Sequence, residues 1–128
     1  MLRKTSCGER AMTFYILPTR GNLRRRKIIE ESKCPLCERE EETNAHILWF
    51  CPSAMDVWSA GAKTFQKCSY KDLNFLQLAE KMLGRCTIKE FIHFVGTARR
   101  IWLRRNEVVH GGRFWHPGEI IQQVQTSI

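Results

Sequence analysis

Three cysteines and one histidine within 18 residues constrain the fold of this chain more than any other feature. The pattern is Cys-x2-Cys-x8-His-x4-Cys, and its members are Cys34, Cys37, His46 and Cys51. Thiolate sulfur and neutral imidazole nitrogen are ligands of tetrahedral zinc, and a Cys-x-x-Cys turn presents two sulfurs to one metal ion. Four protein ligands leave no position for water. The pattern therefore predicts one structural zinc ion rather than a catalytic one.

A thiol redox pair at Cys34 and Cys37 is the alternative, because six cysteines in 128 residues sometimes fall this close together by chance. Redox pairs of this kind usually lie between a strand and a helix of a βαβ unit, and we find no such pattern here. Zinc is favoured because Pro35 stiffens the turn and His46 stands where a third ligand is needed. The other cysteines are expected to be small buried hydrophobic residues: Cys7, Cys68 and Cys86.

Length and composition predict a single globular domain. The chain has 128 residues, 43% of them hydrophobic, and no run of about 20 apolar residues that could span a membrane. The beginning of the sequence has no apolar signal-peptide run, so we expect an intracellular protein, either nuclear or cytoplasmic. The formal net charge of +8 and the pI of about 9.5 favour a polyanionic partner, nucleic acid before a membrane surface.

The densest positive charge lies in a predicted helix from Arg20 to Glu31, for which Thr19 is the expected N-cap. Its predicted buried face is Leu23, Ile28 and Ile29. The basic cluster is Arg20, Arg24, Arg25, Arg26 and Lys27. Two interpretations stay open here: a solvated face balanced by neighbouring glutamates, or a phosphate-binding patch or nuclear import signal.

The remaining sequence predicts further helices. Thr43 is expected to cap a short turn over residues 45–50, and Ser53 with Asp56 resembles a capping box that opens the next helix. The segment from Cys34 to Cys51, called the metal loop below, carries many glutamates, so its tip is expected to face solvent. Trp49, Trp58 and Trp102 are expected in the core.

Asp72 is the predicted cap of a helix that ends at Gly84, with a predicted apolar stripe of Leu73, Leu76, Ala79, Met82 and Leu83. Thr87 should begin the longest helix, which closes at Gly111. Its predicted apolar face is Phe91, Val95, Ala98 and Trp102, widened by Ile88, Ile92 and Ile101. Its flank is predicted to carry Arg99, Arg100, Arg104 and Arg105. A solubilising face is favoured there, and a nucleic-acid-binding stripe that assists the basic cluster is the alternative. A last helix is predicted from Pro117.

Taken together, these motifs resemble the zinc-binding domain that follows the reverse transcriptase of plant non-LTR, LINE-type retrotransposons. The resemblance covers about residues 14–116. The matching segments are residues 17–23 with Arg26, residues 34–37, 40–43 and 46–52, Val57-Trp58, Ile101-Trp102 and Arg105-Asn106. The resemblance implies a mainly α, small helical domain built around one zinc knuckle. It also implies weak RNA or DNA binding as a template-handling module, with other domains of a retroelement polyprotein as possible partners.

The chain departs from the family pattern at two points. The family's upstream helix is mostly missing, which predicts a fragment, and Glu38 stands where glycine commonly follows the second cysteine. We therefore expect residues 1–13 to be a truncated extension, 14–112 the zinc-binding domain and 113–128 a helical tail.

Enzymatic activity is not expected. Two-metal phosphoryl transfer needs several converging carboxylates, and Asp56 and Asp72 are the only aspartates in the chain. No small-molecule substrate is expected. Two functions are left open: a nucleic-acid-binding accessory module, or a zinc-stabilised structural or protein-interaction module without nucleic-acid binding. A thiol redox protein is the least favoured class.

Overall fold

The computed structural model describes residues 17–61 and 74–127, and its regular elements there are helices. In chain order they are α1 (Arg20–Arg25), a π-helix (His46–Phe50), α2 (Pro52–Ala60), α3 (Phe75–Arg85), α4 (Ile88–Val109) and α5 (Pro117–Ser127). The described part has no strand, only one isolated antiparallel bridge between Lys33 and Glu41. The predicted mainly α fold is confirmed.

Aromatic side chains form the centre of the core. The Trp49 and Trp58 ring centroids lie 4.8 Å apart, and Phe94 from α4 stacks on Trp58 at 5.2 Å. Phe75 extends the stack from α3, with its centroid 5.8 Å from that of Phe94. Such pairs add about 0.5–1.5 kcal/mol each to the stabilisation from burial alone. Since α4 contacts the π-helix, α2, α3 and α5, it is the element around which the others pack.

Helix α1 is shorter than predicted. Thr19 caps it as expected, since its hydroxyl oxygen accepts a hydrogen bond from the Asn22 N–H at 3.1 Å. The helix ends at Arg25 rather than Glu31, because Lys27 adopts a left-handed conformation with φ of 61°. A Schellman motif closes the end, with the Ile28 N–H bonded to the Leu23 carbonyl at 2.9 Å. The prediction of a buried Ile28 was wrong, because its side chain is 61% exposed.

Two other helix starts differ from prediction. Cys51, not Ser53, is the N-cap of α2, and Pro52 occupies its first position, where a missing N–H costs nothing. Helix α3 begins after a capping box between Asn74 and Gln77. The predicted cap Asp72, like Leu73, Cys7 and Cys68, lies outside the described residues.

The buried faces of α3 and α4 are rotated from the predicted stripes. On α3, Leu76 and Leu83 are exposed, whereas Met82 is buried as predicted, together with Phe75 and Leu78. On α4, Ile88 and Ile92 are exposed, and Phe94 is buried beside the correctly predicted Ala98 and Ile101. The start of α4 was predicted correctly, since Thr87 and Glu90 form a capping box there. All three predicted core tryptophans are buried: Trp49, Trp58 and Trp102.

Two arginines predicted on the solvated flank of α4 are buried, and so is one glutamate of the metal loop. Arg105 is 7% exposed and donates two hydrogen bonds to the fully buried Glu42 carboxylate, at 2.7 and 2.6 Å. Glu42 also accepts a hydrogen bond from the Arg20 backbone N–H at 2.6 Å. The predicted solvent exposure is wrong for Arg104, Arg105 and Glu42. Arg105 and Glu42 pair with each other, and Arg104 donates to two backbone carbonyls inside the fold.

No helix of the described ranges is long and apolar enough to cross a membrane.

Candidate metal centre

The metal loop brings the four predicted ligands together. Their ligand atoms all lie within 4.8 Å of one another. The Cys34 and Cys51 sulfurs are 3.9 Å apart, and the Cys37 sulfur lies 3.3 Å from the His46 Nε2. Around a tetrahedral zinc, bond lengths of about 2.3 Å to sulfur and 2.0–2.1 Å to nitrogen give edges of about 3.8 and 3.6 Å. These two separations are close to such edges, and small shifts would bring all four ligands around one ion. The bound ion would crosslink the two ends of the loop.

Backbone hydrogen bonds shape the turn that carries the first two cysteines. The Glu38 N–H donates to the Cys34 carbonyl at 2.9 Å, and the Leu36 N–H points at the Cys34 sulfur at 3.4 Å. The Cys34 N–H donates to the Glu40 carbonyl at 2.8 Å, which closes the loop beside the Lys33–Glu41 bridge. N–H groups aimed at sulfur favour the thiolate, the form that binds metal.

The π-helix sets the relative position of the second ligand pair. Thr43 caps this segment as predicted, because its hydroxyl oxygen accepts a hydrogen bond from the His46 N–H at 3.0 Å. In an α-helix, residues five apart point about 140° away from each other, since each residue turns by about 100°. A π-turn closes between residues five apart. The Cys51 N–H donates to the His46 carbonyl at 2.7 Å, so the π-helix places both ligands on one side.

Hydrogen bonds within the site favour a thiolate at Cys51. The bond with the Cys34 thiol, and further contacts with His46 and Ser53, lower the pKa of Cys51 to about 3. The same bond with Cys51, together with burial, raises the pKa of Cys34 far above its usual range. The sequence did not single out Ser53 as a neighbour of the site, and its hydroxyl lies 3.2 Å from the Cys51 sulfur.

The pKa values of the other two ligands, Cys37 and His46, are also shifted by their contacts. Burial opposes the pKa shift of Cys37, but hydrogen bonds from the Arg39 and Glu40 backbone and from His46 outweigh it and lower that pKa. Burial likewise opposes the shift of His46, yet contacts with the two neighbouring sulfurs raise its pKa. Without metal, the site is thus a network of sulfur and imidazole groups sharing protons, and binding zinc would release them.

Glu38 stores backbone strain that glycine would relieve. Its φ is 59°, a left-handed conformation that costs a residue with a side chain about 1–2 kcal/mol, and its side chain is exposed. We expect Glu38→Gly to raise the free energy of unfolding of the zinc-loaded protein by about 1 kcal/mol. Urea unfolding followed by tryptophan fluorescence measures this change.

Glu40→Gly is the matched control for that substitution. Glu40 is also an exposed glutamate of the metal loop, but its φ is not positive. Glycine there should lower stability slightly by increasing the freedom of the unfolded chain. Equal effects of the two substitutions would contradict the strain at Glu38.

The basic cluster lies on and just after α1. Arg24, Arg25, Arg26 and Lys27 are exposed, and Arg20 is half-buried. The Arg20 guanidinium donates to the Lys33 carbonyl at 3.3 Å, whereas Arg25 contacts the Asn22 side chain. The cluster is attached to the metal loop, since the Gly21 N–H donates to the Glu42 carbonyl at 3.0 Å.

Local sequence patterns did not predict the burial of Glu42, Arg104 and Arg105. Their partners lie far along the chain, 63 residues apart for Glu42 and Arg105, so local periodicity cannot reveal them. Arg105 and Asn106 are among the segments that resemble the zinc-binding family, and this was the one available signal. This arginine turns out to be a buried ion-pair partner.

A closed cluster of three cysteines and one histidine on a helical scaffold defines a metal-binding module of the zinc-finger class. Residues 6–58 match the family model described as zinc-binding in reverse transcriptase, which confirms the predicted resemblance to a zinc-binding domain of reverse transcriptases. Searches of curated proteins and of solved structures found no significant match.

Proposed function

We propose that this chain is an accessory module of a retroelement reverse transcriptase, held in shape by one zinc ion and binding RNA or DNA. The observation that carries the proposal is the tetrahedral-sized cluster of Cys34, Cys37, His46 and Cys51 within the matched family segment. A plant LINE-type parent element and an intracellular location are part of the proposal and rest on the sequence motifs.

The module contributes no catalytic residue of its own. Four protein ligands fill the coordination of a zinc ion, so none is left to activate water. The chain also lacks the set of aspartates that two-metal phosphoryl transfer needs, since it has only Asp56 and Asp72. The polymerase chemistry belongs to other domains of the parent polyprotein, which are its expected protein partners.

The basic cluster is the proposed nucleic-acid contact. Among the described residues, no carboxylate pairs with Arg24, Arg26 or Lys27, so their charges are available to phosphates. The N-terminus of α1 is fixed by the buried Glu42, which keeps these side chains at a defined place beside the metal loop. Contacts of this kind bind the backbone and carry little sequence information.

The experiment that tests this contact is the salt dependence of binding. We expect Arg24→Gln with Arg26→Gln to weaken binding of single-stranded RNA and of duplex DNA. Each lost phosphate contact should also reduce the slope of log K against log salt, by about 0.7 on single strands and 0.9 on duplex. Fluorescence anisotropy titrations between low and physiological salt measure both quantities.

The matched control is Lys81→Gln with Lys89→Gln. These two lysines are exposed on α3 and α4, and their removal lowers the net charge by the same amount. The control should leave the slope nearly unchanged. Equal losses in the two variants would show that binding follows net charge and not the basic cluster. A flat salt response of the unaltered protein would contradict nucleic-acid binding and leave the structural or protein-interaction module.

A further inference from the structure

Arg104 is a buried cation without a carboxylate partner in the part of the chain that the structure describes. It is 1% exposed, and neither ion pair among the described residues includes it. Its guanidinium donates to the Ser53 carbonyl and to the Trp115 carbonyl, both at 3.0 Å. Its Nε is buried and has no hydrogen-bond partner among the described residues. The Phe114 ring covers the guanidinium at 4.2 Å.

Two neutral carbonyls and an aromatic ring do not neutralise such a charge. Transferring an uncompensated cation out of water is costly, so buried arginines are normally paired with an anion. Arg105, the next residue, illustrates the usual solution, because it pairs with the Glu42 carboxylate. Since no carboxylate forms an ion pair with Arg104 among the described residues, its charge must be balanced over a longer distance.

Two negative groups act on Arg104 within the described residues: the Cys51 thiolate of the metal centre and the Asp56 carboxylate, which forms no ion pair with it. The hydrogen bonds of Arg104 lead to the metal centre. Ser53 connects the two: its carbonyl accepts from Arg104, and its hydroxyl lies 3.2 Å from the Cys51 sulfur. A zinc ion with three thiolates and a neutral imidazole carries a formal charge of about −1. Burial lowers the pKa of Arg104, and the negative charges of Cys51 and Asp56 oppose that shift, which agrees with this arrangement.

We propose that Arg104 is the counter-ion of the zinc-loaded centre. Its single positive charge balances the net negative charge of one zinc with three thiolates, and Ser53 fixes the distance between the two. The proposal rests on zinc binding under the proposed function and goes beyond it. It assigns a residue outside the matched family segment to the affinity of the site. Outer contacts of this kind commonly change metal affinity by 10–100-fold.

The test compares two substitutions that separate charge from hydrogen bonding. Arg104→Gln keeps donors for the carbonyls but removes the charge, whereas Arg104→Lys keeps the charge. We expect Arg104→Gln to bind zinc at least about tenfold more weakly and Arg104→Lys to stay within about threefold of the unaltered protein. Competition with a chromophoric zinc chelator measures the dissociation constants.

A control for lost stability is Leu78→Ala, which removes a buried side chain of α3. Zinc affinity and folding are coupled, so this variant shows how much affinity falls when the fold alone is weakened. Equal zinc affinities of Arg104→Gln and the unaltered protein would overturn the counter-ion role. Equal losses in Arg104→Gln and Arg104→Lys would overturn it as well, because hydrogen bonding or packing would then explain them.

A second measurement keeps the proposal testable if Arg104→Gln does not fold. With Cys37→His, a zinc ion would have two thiolate and two neutral imidazole ligands, so the loaded centre would be neutral. Cys37 is the half-exposed ligand, so a larger side chain is accommodated most easily there. In this background Arg104→Gln should fold and cost less than about threefold in zinc affinity. If Arg104→Gln lost as much zinc affinity in the Cys37→His background as in the unaltered protein, or failed to fold in both, the proposal would be contradicted. Zinc-free unaltered protein would instead contradict the proposed function itself.

Discussion

Replacing Cys51 with serine is expected to abolish zinc binding and unfold the chain. Cys51 is fully buried, is the N-cap of α2 and belongs to both the metal cluster and the core. In small domains, structural zinc supplies about 10–16 kcal/mol of apparent binding energy, and this energy is also folding energy. Native mass spectrometry should find one zinc per unaltered chain and none in Cys51→Ser. Circular dichroism should show lost helix in the variant.

Cys86→Ser is the control for that substitution. Cys86 is half-buried at the end of α3 and lies outside the metal cluster, so its replacement should leave zinc content and helicity unchanged. Chelation of the unaltered protein should reproduce the effect of Cys51→Ser. A metal-free chain that keeps its helices would overturn the zinc assignment. A silent Cys51→Ser is the result expected of a redox pair at Cys34 and Cys37.

Replacing Glu42 with alanine is expected to cost about 3–5 kcal/mol of stability. The loss arises because the Arg105 guanidinium, 7% exposed, would remain in the interior without its anion. The Arg20 N–H at the start of α1 would lose its acceptor as well. Urea unfolding of the zinc-loaded variant, followed by circular dichroism, measures the change in the free energy of unfolding.

Two further variants test whether the unpaired charge causes this loss of stability. Glu40→Ala removes an exposed glutamate of the same loop and should change stability by less than about 0.5 kcal/mol. Glu42→Leu with Arg105→Met replaces the pair by apolar side chains and should recover much of the loss, because no unpaired charge is left inside. If Glu42→Ala were as mild as Glu40→Ala, the buried pair would not support the fold.

The sequence was most informative where structure is decided locally. The spacing of Cys34, Cys37, His46 and Cys51 predicted the cluster, because ligands so close in sequence can meet only within one loop. Caps were predicted correctly at Thr19 and Thr87, whose side chains accept from a backbone N–H three residues on, but not at Ser53. The mainly helical fold followed from the same local patterns.

The sequence was misleading where distant residues decide burial. Helix α4 carries apolar residues on several sides, so periodicity alone could not tell that Phe94 faces the core and Ile88 faces solvent. Arginine is usually exposed, so the burial of Arg105 can be predicted only when its pairing with Glu42 is known. The end of α1 was missed because Lys27 takes a left-handed conformation that glycine usually provides.

The pairing of Glu42 with Arg105 also determines how much of the chain can be transplanted. The matched family segment ends at residue 58, yet the donor for its buried carboxylate comes from α4, 63 residues after Glu42. A protein cut after Trp58 would keep all four metal ligands, but the Glu42 carboxylate would lose its donor Arg105. The Trp49 and Trp58 rings, against which Phe94 packs, would be uncovered. A transplanted unit of this fold must therefore include α4 as well as the metal loop.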